Sequence, residues 1–303
     1  MTTLRPTQIT IAPAHSGEQF CGCYVCGSGR FEQLELPQSD GRSEVVGICS
    51  LCGHGARLRQ ADPGANLARQ LRYFDEHLAA PAPQCRRWPH RYALLRRQLE
   101  RFGIRAGDVL DIGCGNGTWL CSLGGGWRKF GVELSPATAR VARLHTGAEI
   151  HCGPIEEYQP PAAGFNLITA FALIEHLSDP RWLVRWCRRH LKPGGCLLLM
   201  TGDRESRTAL AMGSEWPLYH PAEHLHFFSA DSLTRLLASE QFEIGRCEWR
   251  YMPWGSSSLC RHLLMKGREV AGAVTQPTHD HLYLFARSPS SVEPGFACEK
   301  ESR

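Results

Sequence analysis

The sequence contains no long hydrophobic run. None of its apolar stretches approaches the roughly 18 uninterrupted residues that a membrane-spanning helix needs. The first residues, Met1 to Pro6, lack the apolar segment of a secretory signal peptide. The chain also lacks an excess of one charge, because 34 Lys and Arg oppose 30 Asp and Glu. A net charge of only +4 does not require nucleic acid or an acidic membrane as a partner. We therefore expect a cytoplasmic protein.

The composition is that of an ordinary globular chain with one exception. The 303 residues are 43% hydrophobic and 21% charged, and the length predicts two domains or one large domain with a small satellite. The exception is cysteine, which occurs 14 times. In a compartment that keeps thiols reduced, scattered cysteines are explained as small buried apolar side chains. The group near the N-terminus needs another explanation.

Two Cys-x-x-Cys-Gly pairs form that group. Cys23 and Cys26 make the first pair, Cys49 and Cys52 make the second, and 22 residues separate the two pairs. Four thiolates at such spacing predict a closed, tetrahedral, structural zinc site. Cys21 could replace Cys23, although Cys23 gives the better spacing. We assign residues 21–62 to a small zinc-ribbon domain whose hairpins are held by the metal rather than by a core.

The rest of the chain divides by its hydrophobic periodicity. Residues 1–20 show none and are predicted to be a flexible lead-in, whereas residues 63–106 predict a helical connector. From 107 to 288, short apolar strands alternate with helices, which predicts an α/β domain with a Rossmann-like, doubly wound, mostly parallel sheet. Near 257–268 we expect an amphipathic helix that could pack on the sheet or touch a membrane. Residues 289–303 form a polar tail.

A glycine-rich turn follows the first strand of the predicted sheet. The run Asp111-Ile112-Gly113-Cys114-Gly115-Asn116-Gly117 ends a strand and opens a helix, so its backbone can approach a ligand closely. Glu133 ends the second strand, where a carboxylate can accept both hydroxyls of a ribose. The turn departs from the nicotinamide-binding pattern G-x-G-x-x-G, because Gly117 comes one position early and Asp111 precedes the first glycine.

Four segments of this domain resemble, in order, the motifs of class I S-adenosylmethionine (SAM)-dependent methyltransferases. They are V-L-D-I-G-C-G-N-G (109–117), G-V-E-L-S (131–135), F-A-L-I-E-H-L-S-D-P (171–180) and L-K-P-G-G-C-L-L-L (191–199). The resemblance covers about 107–286. It is closest to the branch with ubiquinone-type O-methyltransferases and bacterial sugar or natural-product methyltransferases. It implies that residues 203–229 cover the active site as a lid.

The resemblance also implies a cofactor site. The glycine turn would hold the methionine part of SAM, the acid before it would order that end, and the acid ending the second strand would bind the ribose. Two departures affect the adenine: Pro154 stands where many relatives have an acid, with Glu156 as the nearest substitute, and Asn166 replaces a usual Asp. The implied cofactor residues are Asp111, Gly113, Cys114, Gly115, Gly117, Glu133, Leu134, Ile155 and Glu156.

Histidines in two loops are candidates for chemistry on the methyl acceptor. Ligands of open α/β sheets lie beyond the carboxyl ends of the strands, and the loops at 175–176 and 219–228 follow the fourth and fifth strands. A histidine can take up a proton near neutral pH, and a neighbouring carboxylate would hold it in the right tautomer. The candidate catalytic residues are His224, His220, His176 and Glu223.

Three other interpretations were weighed. The sequence H-P-A-E-H (220–224) matches an inverted zinc-protease signature, but Pro221 disfavours the continuous helix that this chemistry needs. The arginine-rich stretch at 86–105, with interleaved aromatic residues, is a pattern of RNA-binding surfaces, and some ribosomal-RNA methyltransferases also carry an N-terminal zinc site. Nucleic acid is the weaker choice of partner, since no N/D-P-P-Y motif occurs. The third interpretation is a non-catalytic interaction protein with a methyltransferase-like scaffold.

We interpret the chain as a SAM-dependent methyltransferase with a structural Zn²⁺ ion. Its acceptor is predicted to be a small molecule, such as a sugar, a quinone precursor or a secondary metabolite, methylated on oxygen or carbon with the help of a histidine. The zinc module resembles one in bacterial deoxysugar C-methyltransferases, which favours a sugar-like acceptor. The sequence leaves the oligomeric state open.

Overall fold

The computed structural model describes residues 8–10, 22–37, 43–58, 68, 71–72, 92–250 and 280–290. Several predictions fall outside these residues: Cys21 as an alternative ligand, most of the connector before residue 92, the amphipathic helix near 257–268 and the tail beyond residue 290. Within the described ranges, no helix has the length and apolar character needed to cross a bilayer.

The described residues include twelve strands and six α-helices. The strands are β1 (Gln8–Thr10), β2 (Arg30–Pro37), β3 (Ser43–Cys49), β4 (Gly55–Arg57), β5 (Gly107–Ile112), β6 (Trp127–Glu133), β7 (Glu149–Cys152), β8 (Phe165–Phe171), β9 (Leu191–Gly202), β10 (His226–Phe227), β11 (Glu243–Arg250) and β12 (His281–Arg287). The helices are α1 (Ala93–Arg101), α2 (Thr118–Ser122), α3 (Pro136–Thr146), α4 (Pro180–His190), α5 (Arg207–Met212) and α6 (Ala230–Ser239). Single 3₁₀ turns cover Ile155–Glu157, Ile174–His176, Gly213–Glu215 and Pro217–Tyr219.

A seven-stranded sheet with the order β11-β12-β9-β8-β5-β6-β7 forms the large domain. Strands β5 to β9 pair in parallel. β12 is antiparallel to β9, and β11 is antiparallel to β12 at the edge of the sheet. Apolar side chains are buried on both faces, under α1, α2 and α3 on one side and under α4 and α6 on the other. Strands covered on both faces are uniformly apolar rather than alternating. The predicted Rossmann-like, mostly parallel sheet is therefore confirmed.

Local sequence signals explain where the helices begin. Ser135 accepts a hydrogen bond from the backbone N–H of Thr138, and Pro136 occupies the first turn of α3, as the sequence indicates. Asp179 caps α4 in the same way, and Ser229 with Ser232 forms a capping box at α6. These caps fix the ends of the helices that flank the carboxyl edge of the sheet.

A second sheet, antiparallel and in the order β1-β2-β3-β4-β10, forms the N-terminal module. It differs from the expected zinc ribbon in two strands. β1 lies within the predicted lead-in and pairs with β2. β10 lies within segment 203–229, the predicted lid, and pairs with β4, so that His226 is opposite Ala56 and Phe227 is opposite Gly55. Strands of two or three residues leave almost no periodic signal, and their partners are distant in the sequence.

The module also has an apolar core, which it shares with the large domain. Phe31, which is fully buried, packs in one cluster with Phe228 and with side chains of α4 and α6. On the other side, Leu36 and Val46 pack with Trp216, together with further lid residues. The metal was expected to replace a core, but here buried apolar contacts join the module to the lid.

Candidate cofactor and acceptor site

The glycine-rich turn lies at the carboxyl edge of the large sheet. β5 is flanked by β8 and β6, and the strand order reverses between β5 and β8, which is the usual ligand position in such sheets. Gly113, Gly115 and Gly117 have φ values of 70°, 54° and 77°, a left-handed region that favours glycine. A Cβ atom on Gly117 would lie 2.4 Å from the Thr146 side chain. The turn therefore requires glycine both for its backbone and for the packing of α2 on α3.

Asp111 lies in β5 immediately before this turn and is almost completely buried. Its Oδ1 atom accepts a hydrogen bond of 2.6 Å from the hydroxyl of Thr169, which is opposite it on β8. Burial raises the pKa of Asp111 to about 7, and the negative charge of Glu133 adds to the effect. A cationic group bound at the turn would therefore favour the ionised carboxylate.

Glu133 connects the end of β6 to the glycine turn. Its Oε2 atom accepts the backbone N–H of Gly115, and its Oε1 atom accepts that of Ser135, both at 2.9 Å. The side chain is buried, and each carboxylate oxygen can accept more than one hydrogen bond. The backbone oxygen of Glu133 accepts the N–H of Gly153, which holds the next loop beside it. These contacts fix the Glu133 carboxylate at the carboxyl edge of the sheet.

The predicted adenine contacts lie in that next loop, on the 3₁₀ turn that begins at Ile155. Ile155 is buried, Glu156 is exposed and Leu134 is half-buried. Asn166 lies elsewhere: its Oδ1 atom accepts the N–H of Asp108 at 3.0 Å, at the amino end of β5. The Asp-to-Asn departure at this position therefore does not affect the cofactor crevice.

Two of the predicted catalytic histidines lie together, one in the loop after β8 and one in the segment after β9. The ring centroids of His176 and His224 are 4.8 Å apart in an edge-to-face arrangement. Nδ1 of His224 lies 2.8 Å from the oxygen of Leu218, and Nδ1 of His176 lies 3.0 Å from the oxygen of Glu223. Because a carbonyl only accepts, Nδ1 carries the hydrogen in both rings and Nε2 keeps its lone pair. Backbone carbonyls thus fix both tautomers, and not the neighbouring carboxylate that we expected.

Burial favours the neutral form of both imidazoles. It lowers the pKa of His176 to about 3, with His224 adding to the effect, and it also lowers the pKa of His224. Neighbouring Glu175 is buried too, and burial raises its pKa to about 7. Its Oε2 atom is buried, and none of the described residues forms a hydrogen bond with it. One ligand atom from each of these three residues lies within 4.8 Å of the others, so the group could share a proton or hold a divalent cation.

The other two candidate catalytic residues, His220 and Glu223, have different positions and contacts. His220 is exposed, and Glu223 is half-buried and orients His176 through its backbone oxygen. Residues 220–225 form a turn and not a helix. The H-P-A-E-H segment therefore cannot place two histidines on one helix face, and the zinc-protease interpretation is excluded.

The four predicted zinc ligands converge in the N-terminal module. Their Sγ atoms all lie within 4.8 Å of one another, with 3.4 Å between Cys23 and Cys52 and 3.5 Å between Cys26 and Cys49. Tetrahedral zinc with Zn–S bonds of about 2.3 Å needs sulfur atoms about 3.8 Å apart. A hydrogen bond with Cys23 lowers the pKa of the Cys52 thiol to about 5. The donor set and its spacing both fit zinc.

Three residues of these sites were not selected from the sequence. Thr169 could have been found from the parallel register, which places it opposite Asp111. Arg57, which contacts the lid, and His54, whose Nδ1 lies 3.6 Å from the Cys23 sulfur, have no such signal. Their partners are distant in the sequence and come together only in the folded chain.

The chain is similar to known proteins in sequence and in fold. A family model described as a methyltransferase domain matches residues 87–245, just over half of the chain. The chain is 32% identical over 131 residues to a ubiquinone biosynthesis O-methyltransferase of Pseudomonas aeruginosa, which covers 39% of this chain and 55% of the relative. It is 35% identical over 123 residues to the enzyme of that name from Xanthomonas axonopodis, covering 38% and 50%. The chain thus spans about half the length of the curated relatives it matches.

A solved structure shares the fold. A chain in the complex between the Haloferax volcanii Trm112 methyltransferase activator and a methyltransferase superposes with a TM-score of 0.52 at 16% identity. The match covers 71% of this chain and 97% of the other. The doubly wound sheet, with Asp111 in β5 and Glu133 at the end of β6, is consistent with the matched family model. The chain belongs to the methyltransferase domain family.

Proposed function

We propose that the protein is a SAM-dependent methyltransferase acting on a small-molecule acceptor. The single observation that carries the proposal is the pair of buried acids, Asp111 and Glu133, on either side of the glycine turn. This pair lies within the segment matched by the methyltransferase family. A crevice with two carboxylates complements a ligand that carries a sulfonium, an ammonium group and a ribose.

Different residues along the crevice would contact different parts of the cofactor. Gly113, Cys114, Gly115 and Gly117 would surround the methionine part, with Asp111 as the counter-charge. Glu133 and Leu134 would bind the ribose, and Ile155 with Glu156 would cover the adenine. When bound, SAM supplies an electrophilic methyl group. The role of the chain is to align the acceptor and to remove its proton.

His224 is the proposed base. Its Nδ1–H is held by the Leu218 oxygen, so Nε2 can accept a proton from an acceptor hydroxyl. The buried carboxylate of Glu175 would stabilise the imidazolium that forms. The curated relatives are named as O-methyltransferases of ubiquinone biosynthesis, which supports transfer to oxygen and an aromatic hydroxyl as the first acceptor to test.

The N-terminal module is proposed to hold one Zn²⁺ ion through Cys23, Cys26, Cys49 and Cys52. All four positions of a tetrahedral ion would be filled by thiolates, so the site is structural. A cytoplasmic location would keep these thiols reduced.

The test is methyl transfer with purified protein. The protein is incubated with methyl-labelled SAM and a panel of catechols, hydroxybenzoates, sugars and one structured RNA. We expect label in a small hydroxylated acceptor together with release of S-adenosylhomocysteine. Label in the RNA alone, with binding that weakens steeply as salt increases, would contradict the proposal.

A further inference from the structure

We propose that Arg57 of the zinc module is a positioning residue for the acceptor site. It would hold the lid segment 218–225, so that the module is needed for orienting His224 but not for binding the cofactor. The catalytic part of this inference rests on the proposed function. The structural part, which concerns the orientation of the histidines, can be tested without any acceptor.

The contacts of Arg57 carry the inference. Its side chain is only 4% exposed, and Nε donates to the oxygen of His224 at 2.8 Å. Nη2 donates to the oxygens of Tyr219 and Pro221, at 2.6 and 3.0 Å. Nη1 pairs with Glu44 on β3. One guanidinium therefore binds three lid carbonyls and is itself held by the module, an arrangement that the single ammonium group of lysine cannot reproduce.

The backbone of the lid also forms hydrogen bonds with the zinc module and with the loop after β8. The N–H of Arg57 donates to the oxygen of Leu225 at 3.0 Å, and the N–H of Leu225 donates to the oxygen of Glu175 at 2.8 Å. The carbonyls that Arg57 binds lie next to those that orient the histidine rings, at Leu218 and Glu223. Loss of the guanidinium would therefore free the very segment that fixes the two tautomers.

The zinc site supports Arg57 from the other side. Cys52 precedes β4 by three residues, and the N–H of Cys49 donates to the oxygen of His54. The His54 ring, with Nδ1 3.6 Å from the Cys23 sulfur, stacks on His226 of β10 with centroids 5.2 Å apart. The position of the lid is thus linked to the metal site by ring stacking and by the pairing of β4 with β10.

The two acids of the cofactor crevice have contacts of their own inside the large domain. Asp111 is held by Thr169, and Glu133 is held by the glycine turn and by Ser135, all within the large domain. A change at Arg57 should therefore affect the acceptor side of the site and the cofactor crevice differently. It should disturb the acceptor side and leave binding of S-adenosylhomocysteine unchanged.

The experiment compares Arg57→Lys and Arg57→Ala with Arg30→Lys, an exposed change in the same module. Each protein is checked for zinc content and for binding of S-adenosylhomocysteine by calorimetry. Nitrogen NMR of the imidazoles then reports the tautomers of His176 and His224, and hydrogen exchange reports the amides of 218–226. In both Arg57 variants we expect Nε2–H tautomers to appear and lid exchange to accelerate about tenfold, the effect of losing about 1.4 kcal/mol of hydrogen bonding. Arg30→Lys should match the wild type.

Unchanged tautomers and lid exchange in both Arg57 variants would overturn the inference. Loss of zinc together with weaker cofactor binding would overturn it as well, because Arg57 would then be needed for the whole fold. If an acceptor is found, kcat should fall while the cofactor affinity stays constant. If the wild type methylates nothing, the proposed function fails, but the NMR and exchange results still decide the role of Arg57.

Discussion

Replacing Asp111 by Asn should make the ligand-free protein more stable and make it a poorer binder of its cofactor. Burial raises the pKa of Asp111 to about 7 in the folded protein, whereas in the unfolded chain it is near 4. Between about pH 4 and pH 7, therefore, Asp111 is mostly protonated in the folded protein and mostly ionised in the unfolded chain. The free energy of unfolding should fall as the pH rises from about 4 to 7, because the ionised group is buried.

The size of the effect follows from the same shift. A change in pKa from about 4 to about 7, at 1.36 kcal/mol per unit, corresponds to a penalty on the order of 4 kcal/mol above pH 7. Asparagine carries no charge, and its side-chain oxygen can still accept the Thr169 hydroxyl. At pH 8 the variant should gain up to that amount, and at pH 4 the gain should vanish. The measurement is urea unfolding of both proteins across this pH range without ligand.

Asp108, at the other end of the same strand, supplies a control of opposite sign. It is partly buried, which opposes ionisation, but hydrogen bonds from Lys192 and Arg128 outweigh this and lower its pKa. Asp108→Asn should therefore destabilise the protein at pH 8 and have little effect at acidic pH. If Asp111→Asn destabilises the protein equally at both pH values, the carboxyl is not a strained, buried charge, and the reasoning is refuted.

Three further predictions concern the acceptor side and the zinc module. His224→Ala should lower turnover by about 10²-fold or more, the usual contribution of a general base, and leave the cofactor affinity unchanged. The control His220→Ala, at an exposed position, should retain activity. Wild-type turnover in His224→Ala would remove His224 from the mechanism. Cys26→Ser should lose stoichiometric zinc and melt at a lower temperature, whereas Cys121→Ser, outside the cluster, should keep its zinc. Equal zinc content of the two variants by mass spectrometry would contradict the proposed four-cysteine zinc site. If His224 acts as a base without a bound metal, a chelator that leaves the zinc of the N-terminal module in place should not affect turnover. Loss of activity that a divalent cation restores would instead show that Glu175, His176 and His224 hold a metal.

Features set by nearby residues could be predicted from the sequence. The start of α3 at Ser135 and Pro136, the glycine turn and the four converging cysteines each depend on short spacings, and the structure has all of them. The parallel sheet follows from strands that are apolar throughout, because both faces are covered.

Features that depend on distant partners could not be predicted. The strand at His226–Phe227 pairs with Gly55–Arg57, some 170 residues away, and two residues carry no periodicity. The histidine tautomers were assigned to a carboxylate, but backbone carbonyls of the lid hold them. The position of Arg57 under that lid results from tertiary packing, for which its neighbours in the sequence give no signal.

Binding of S-adenosylhomocysteine to the wild type and to Glu133→Ala, measured by calorimetry, tests the central claim most directly. Glu133 would contribute two hydrogen bonds from a charged group to the ribose, each worth about 1.5–3 kcal/mol. We predict one bound molecule per chain in the wild type and an affinity at least about 100-fold weaker in the variant. Absence of binding at millimolar concentration, or preferential binding of a nicotinamide dinucleotide, would contradict the assignment of the crevice.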